Sequence, residues 1–225
     1  MERALSPGYP SVKNLYASNG VQGKGIARGP EFGFSSEAFG QVDSWLVTEK
    51  VDGMNVRVIF NHHMEGAGGT VRFAGRTDKA NLPGDLLAYL TATFTEDLFM
   101  TAFANEDGDV PGVITLYGEG FGAGIQAAGK HYGPDKRFIL FDTYVDGRWL
   151  RWSDVVNVAE KLGIPTVPVL WVDATLEQAK SAVCDSLLLH LDDSEHIEGI
   201  VARTDPYLFT QYSERVMFKY KVRDL

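Results

Sequence analysis

The chain reads as an α+β fold in which antiparallel sheets are flanked by helices, and three observations predict it. Apolar runs of strand length arrive in adjacent, hairpin-like pairs. Segments with helical spacing and capping signals interrupt them. Of the 225 residues, 44% are hydrophobic, enough for a real core in one domain or at most two small ones. Strands in hairpin order broken by helices suit antiparallel sheets.

Residues 1–43 are rich in Gly, Pro and Ser, with short apolar pieces such as Val12 to Tyr16, and predict irregular structure laid over the domain. A strand is expected at Trp45 to Thr48. After a turn around Lys50, Val56, Val58 and Phe60 alternate with Asn55, Arg57 and Ile59, up to a loop from Asn61 to Gly69. Val71 to Ala74 is the expected hairpin partner. Leu87, Leu90, Phe94 and Leu98 predict one core helix over Asp85 to Phe103, with Pro83-Gly84 before its start. Strands follow at Val113 to Tyr117 and Phe138 to Val145, the second closed by the turn Asp146-Gly147 before Arg148 to Leu150. Further helices are expected at Ser153 to Leu162, with Ser153 as N-cap and Gly163 just past the end, and at Thr175 to Leu189, where Thr175 and Gln178 match a capping box. Gly199 to Ala202 and Arg215 to Val222 complete the strands.

Composition excludes several classes. No window approaches the roughly 18 apolar residues of a membrane span, and no repeat has solenoid spacing. The start of the sequence lacks an apolar stretch of signal-peptide length, and the one cysteine, Cys184, forms no internal disulfide. A cytoplasmic protein with no membrane partner is expected. Net charge is −9, so a grip on nucleic acid must be local rather than a general basic coat.

Five polar groups of residues stand at strand ends or corners, where a rigid scaffold aims side chains. The first is Thr48-Glu49-Lys50-Val51-Asp52-Gly53-Met54-Asn55: a lysine between an apolar strand and a glycine turn is either a nucleophile beside a ligand or a solvated turn residue. The second is Gly75-Arg76-Thr77, whose guanidinium suits ribose or phosphate, or simply a hairpin end. The third places Glu119 among Gly118, Gly120 and Gly122; Ala123 breaks the glycine spacing of dinucleotide folds. In the fourth, Phe138 to Asp142, an aromatic ring near the strand's polar end is either a purine platform or core, and core is the reading for Phe138. The fifth comprises Glu198-Gly199-Ile200-Val201 and the pair Lys219, Lys221. Two lysines at i and i+2 share a strand face and repel unless an anion sits beside them or an edge strand leaves them solvated. His62-His63, in the expected Gly-rich loop, has no third ligand at zinc spacing.

Together and in this order, these runs resemble the covalent nucleotidyltransferase superfamily of DNA ligases, RNA ligases and mRNA capping enzymes. Lys50-Val51-Asp52-Gly53 resembles its motif I, Arg76 its Ia element, Glu119 motif III, Phe141-Asp142 motif IIIa, Glu198 to Val201 motif IV, and Lys219 with Lys221 motif V. The resemblance runs from about Trp45 to the C-terminus. Asn55, five residues after Lys50, is similar to the RNA ligase 2 type, whereas the DNA enzymes and capping enzymes carry Arg there. Asp52 departs toward the DNA ligases, which keeps DNA ligation as an alternative, beside a GTP-using guanylyltransferase and a non-catalytic nucleotide-binding module.

The resemblance implies an ATP-grasp-like ligase adenylation domain, a single nucleotidyltransferase unit over residues 1–225. Four residues follow Lys221, so no C-terminal OB-fold or helical domain is expected, and either weak or selective substrate binding or help from another protein is implied. It implies that Lys50 takes AMP from ATP, passes it to the 5′-phosphate of RNA, and that a 3′-hydroxyl then displaces AMP. Glu198 would bind Mg²⁺ or Mn²⁺, Glu119 the ribose, and Arg76 the ribose or phosphate. Phe141 would stack on adenine, the Thr48-Glu49 backbone would read its edge, and Lys219 and Lys221 would stabilise the phosphates. A lysine attacks only without its proton, so a reference pKa near 10.4 has to fall, and nearby cations supply a cause.

Overall fold

The computed structural model describes residues 6–21, 26–63, 68–126, 129–184 and 198–224, and within them the fold is α+β, with ten strands and four α-helices. The chain divides into two compact units. One holds residues 6–9 and Asp52–Thr166, the other Pro10–Val51 and Val167–Leu225.

In the unit containing Asp52–Thr166, β3 (Met54–His62), β4 (Gly69–Gly75), β5 (Val113–Phe121), β6 (Arg137–Val145) and β7 (Arg148–Trp149) form one antiparallel sheet in the order β4-β3-β5-β6-β7. Val56, Val58 and Phe60 are fully buried, but Arg57 and Ile59 between them are buried too, so β3 is covered on both faces where the sequence predicts alternation; helices α1 (Gly84–Thr93), α2 (Glu96–Phe103) and α3 (Trp152–Leu162) supply an apolar layer. Phe60 stacks on Phe99 of α2 with ring centroids 5.0 Å apart, and Phe138 meets Phe94 edge-on at 5.4 Å. The β6–β7 turn is the expected one, with Asp146 at φ 44° and Gly147 at φ 89°.

In the other unit, β1 (Lys13–Asn14), β10 (Met217–Lys221), β9 (Gly199–Arg203), β2 (Trp45–Glu49) and β8 (Val169–Ala174) are ordered β1-β10-β9-β2-β8, antiparallel except for the β1–β10 pair. Trp45, Val47, Ile200, Ala202 and Phe218 of this sheet bury against Ala179, Ala182 and Val183 of α4 (Leu176–Cys184). The capping box forms: Gln178 N donates to Thr175 Oγ1 at 3.2 Å and Thr175 N to Gln178 Oε1 at 2.8 Å. The rest of that expected helix, 185–189, lies outside the described residues.

Several expectations need correction. The expected helix Asp85 to Phe103 is two, because Thr95 leaves helical geometry and its Oγ1 caps the Leu98 amide. The break moves the apolar faces, so Leu86, Leu90, Phe94 and Phe99 are buried while Leu87 is exposed. The α3 helix starts at Trp152 rather than Ser153 and has no side-chain cap, though Gly163 closes it at φ 65° as expected. Asn61 and His62 belong to β3, not to a loop, with the His62 ring stacked beside Phe60. Residues 1–43 are more than a covering: Leu15, Tyr16 and Phe39 are core. Strand β8 escaped the sequence reading because Val169-Leu170-Trp171-Val172 sits between two helices without a hairpin signal.

Candidate active site

The sheet of the Lys50 unit explains why one lysine, one glutamate and a second lysine meet. Strand β9 lies between β2 and β10, with Glu49 opposite Ile200 and Lys221 opposite Gly199. One residue beyond β2, Lys50 N donates to Gly199 O at 2.9 Å, and Val222 N donates to Glu198 O at 3.1 Å. The residues at the ends of three neighbouring strands are thereby held level. Gly199, at φ +148°, is what permits this: a Cβ there would stand 2.7 Å from Lys221 Cα and inside the contact distance of the Tyr220 carbonyl oxygen.

From this platform Lys50 Nζ donates to Glu198 Oε2 and Lys221 Nζ to Glu198 Oε1. The side chains are 21%, 19% and 11% exposed for Lys50, Glu198 and Lys221, sheltered enough to strengthen the charges yet open to a ligand. Burial works against the Glu198 carboxylate, but the Lys50 charge and hydrogen bonds from both lysines outweigh it, so its carboxyl titrates below the usual glutamate range. Lys219 is half-buried two residues before Lys221 on β10, which has neighbours on both sides, so the edge-strand explanation of the lysine pair does not apply. Thr48 and Glu49 are buried, and Thr48 Oγ1 donates to Val201 O at 3.3 Å.

The other expected residues lie in the Asp52–Thr166 unit. Asn55 on β3 stands directly opposite Glu119 on β5, so the two side chains share one sheet face. Gly53 fits only without a Cβ, which would lie 2.7 Å from Glu119 Cγ. Asn55 Oδ1 is buried without a hydrogen-bond partner among the described residues, so an acceptor there remains to be satisfied. Arg76 is exposed in the turn after β4. Phe141 lies at a register shift in the β5–β6 pairing and packs edge-on against Tyr9 at 4.9 Å.

Two features of this unit escaped the sequence reading. Arg57, buried on β3, donates through Nε to Gly75 O at 2.9 Å and through Nη2 to Asp78 Oδ1 at 2.6 Å. It grips both sides of the turn that carries Arg76; a buried arginine mid-strand with an acid two residues past Arg76 was the available signal. Tyr9 packs on Tyr117 and Trp149 as well as Phe141 and donates to Asp142 Oδ2 at 2.9 Å; nothing in the local sequence marks it.

Among the described residues no three His, Cys, Asp or Glu side chains converge as a metal cage. One ionised carboxylate, Glu198, fits a Mg²⁺ or Mn²⁺ ion that takes its remaining ligands from phosphates and water.

Solved structures share the fold. An archaeal ATP-dependent RNA ligase matches at 18% identity and a TM-score of 0.60, over 96% of this chain and 48% of its own. A variant of the Naegleria gruberi RNA ligase with ATP and Mn matches at 15% identity and a TM-score of 0.58, over 99% of this chain and 62% of its own. A second variant of the Naegleria enzyme, without ligand, matches at 17% and 0.54, over 83% and 52%. The chain thus spans about half to three-fifths of the length of these relatives. No curated protein matches it. The RNA ligase family model matches residues 43–221, from just before β2 to the last residue of β10, and the chain belongs to the RNA ligase family.

Proposed function

We infer that the protein is an ATP-dependent RNA ligase that joins 3′-hydroxyl and 5′-phosphate ends through a lysyl-AMP on Lys50. The carrying observation is the ion-paired trio of Lys50, Glu198 and Lys221: an amine beside a second cation and an ionised carboxylate. The roles divide by residue. Lys50 is the nucleophile, Lys219 and Lys221 offset charge on the phosphates, and Glu198 holds Mg²⁺ or Mn²⁺. Thr48 and Glu49 bound the base edge, while Asn55, Arg76 and Glu119 bind the sugar and phosphate and Phe141 the adenine. When bound, the cation neutralises charge developing on the phosphate oxygens.

In the first step Lys50 Nζ leaves the Glu198 carboxylate, gives its proton to water and forms a bond to the α-phosphorus of ATP, while the bond to the bridging oxygen of the β-phosphate breaks and pyrophosphate departs. Lys221, on the other oxygen of Glu198, keeps a positive charge beside the transferring phosphoryl group. An RNA 5′-phosphate oxygen then displaces Lys50, and a 3′-hydroxyl displaces AMP and seals the strand. Nicked duplexes in RNA, DNA and hybrid form, offered with ATP and Mg²⁺ or Mn²⁺, test the substrate. Sealing of RNA-containing nicks is expected; efficient sealing of all-DNA nicks alone would overturn the RNA assignment.

A further inference from the structure

Phe141 stands where the backbone ladder does not hold it. The β5–β6 pairing passes from Gly118 opposite Leu140 to Tyr117 opposite Asp142, so Phe141 is the extra residue of a β-bulge. Its ring is half-buried and takes its direction from side-chain packing rather than from strand register. Tyr9 supplies that packing. Its ring meets Phe141 edge-on with centroids 4.9 Å apart, and it lies 5.1 Å from Tyr117 and 5.7 Å from Trp149. Its hydroxyl donates at 2.9 Å to Oδ2 of Asp142, the residue after Phe141, whose fully buried carboxylate requires donors. The segment around Tyr9 is itself fastened: the Tyr117 hydroxyl donates to Pro7 O at 2.6 Å, and Gly8 lies against the Arg76 turn, where a Cβ would touch Arg76 O at 3.5 Å. Tyr117 and Glu119 stand two residues apart on β5, so Tyr9 rests on the sheet face that also carries Glu119 and Asn55.

We propose that Tyr9 is a positioning residue for the nucleotide base: its ring on Phe141 and its hydroxyl on Asp142 hold the Phe141 ring in the plane that stacks on adenine. The proposal rests on the reading of Phe141 as the adenine contact and adds what fixes that contact. Stacking depends on the mutual orientation of two rings, so a platform that turns away loses the base. A phenylalanine on a bulge without this packing would spread over several rotamers, and a base would bind only the fraction with the right one. A triphosphate is held by charge and hydrogen bonds, so its affinity is indifferent to the plane of that ring. The two parts of ATP therefore report separately on Tyr9.

Initial rates of covalent labelling by ATP give KM and the saturating rate, and inorganic tripolyphosphate, which is charged like the phosphates of ATP and has no base, serves as competitor. Tyr9→Leu is expected to raise KM for ATP roughly tenfold, with the saturating rate changed less than about twofold and inhibition by tripolyphosphate unchanged. Tyr9→Phe, which keeps the ring and removes the bond to Asp142, raises KM roughly threefold. In a Phe141→Leu background, where KM is already raised, Tyr9→Leu adds nothing further. An unchanged KM in Tyr9→Leu overturns the proposal; should that variant not fold, an unchanged KM in Tyr9→Phe overturns it instead. A parallel weakening of tripolyphosphate, or additive losses in the double variant, makes Tyr9 a structural residue only and overturns the proposal too. An unchanged KM in Phe141→Leu, with labelling intact, overturns the adenine reading and the proposal with it. Absence of labelling in the unsubstituted protein overturns the ligase reading underneath both.

Discussion

Replacing Gly199 by alanine probes the geometry that brings Lys50, Glu198 and Lys221 together. The residue has φ +148°, where a side chain costs about 1–3 kcal/mol. Its Cβ would also stand 2.7 Å from Lys221 Cα and 3.0 Å from the Tyr220 carbonyl carbon, both on β10. Relieving backbone overlap of that kind costs about another 1–3 kcal/mol, because strand atoms move where a flexible side-chain tip would swing aside. About 4 kcal/mol in a chain of this size lowers the thermal midpoint by about 10 °C. The same displacement pushes β9 from β10 and disturbs Gly199 O, the acceptor of the Lys50 amide. A shift of about 1 Å in a reacting group costs on the order of 10²-fold in rate. Circular dichroism melting and the initial rate of covalent labelling by ATP measure the two effects. A Gly199→Ala protein with the original midpoint and labelling rate would refute the claim that this glycine sets the spacing of the trio.

Glu198→Gln leaves two partly buried ammonium groups without their carboxylate and should cost about 2 kcal/mol, less than a fully buried pair because solvent reaches all three side chains. Because the folded carboxyl titrates below its unfolded value, this stability is complete above the ordinary glutamate range and is lost as pH falls through the folded value. Urea unfolding should therefore show a gap between the two proteins at neutral pH that closes on acidification; a constant gap contradicts the ion-pair account. Asp78→Asn weakens the grip on the Arg76 turn and is expected to raise KM for ATP several-fold with little change in kcat. That effect should vanish when Arg76 is already alanine; additive losses in labelling kinetics would dissolve the link. Burial holds the Tyr117 phenol in its neutral form well above the usual tyrosine range. This stabilisation is full below about pH 10 and is lost as pH rises further. Tyr117→Phe should flatten alkaline unfolding followed by fluorescence, and an unchanged alkaline limb argues against the burial.

Legibility in the sequence follows the range of the interaction. Local signals carried well: the Asp146-Gly147 turn, the Thr175–Gln178 capping box and the αL Gly163 each depend on a few neighbouring residues. Thr95 sends a local signal too, but helical spacing on both sides of it masks the cap that splits α1 from α2. Non-local pairings carried poorly. Strand β8 is defined by its place beside β2, and Leu15, Tyr16 and Phe39 become core only through residues some 200 positions away, such as Phe218. In the site, the order of short motifs pointed to Lys50, Glu198 and Lys221, yet their contact depends on how β2, β9 and β10 pair. Tyr9 escaped because its partner Phe141 lies at a separation that no local pattern encodes, whereas Arg57 meets Asp78 just past the β3–β4 hairpin, where an acid two residues after Arg76 was the signal.

The account stands or falls on the amine of Lys50. Incubation with α-labelled ATP and Mg²⁺ or Mn²⁺, followed by proteolysis and mass mapping of the labelled peptide, tests it directly. The expected result is a single AMP adduct on the peptide bearing Lys50, released by pyrophosphate and absent in Lys50→Ala. An adduct on another residue, or a label that persists in Lys50→Ala, would contradict it.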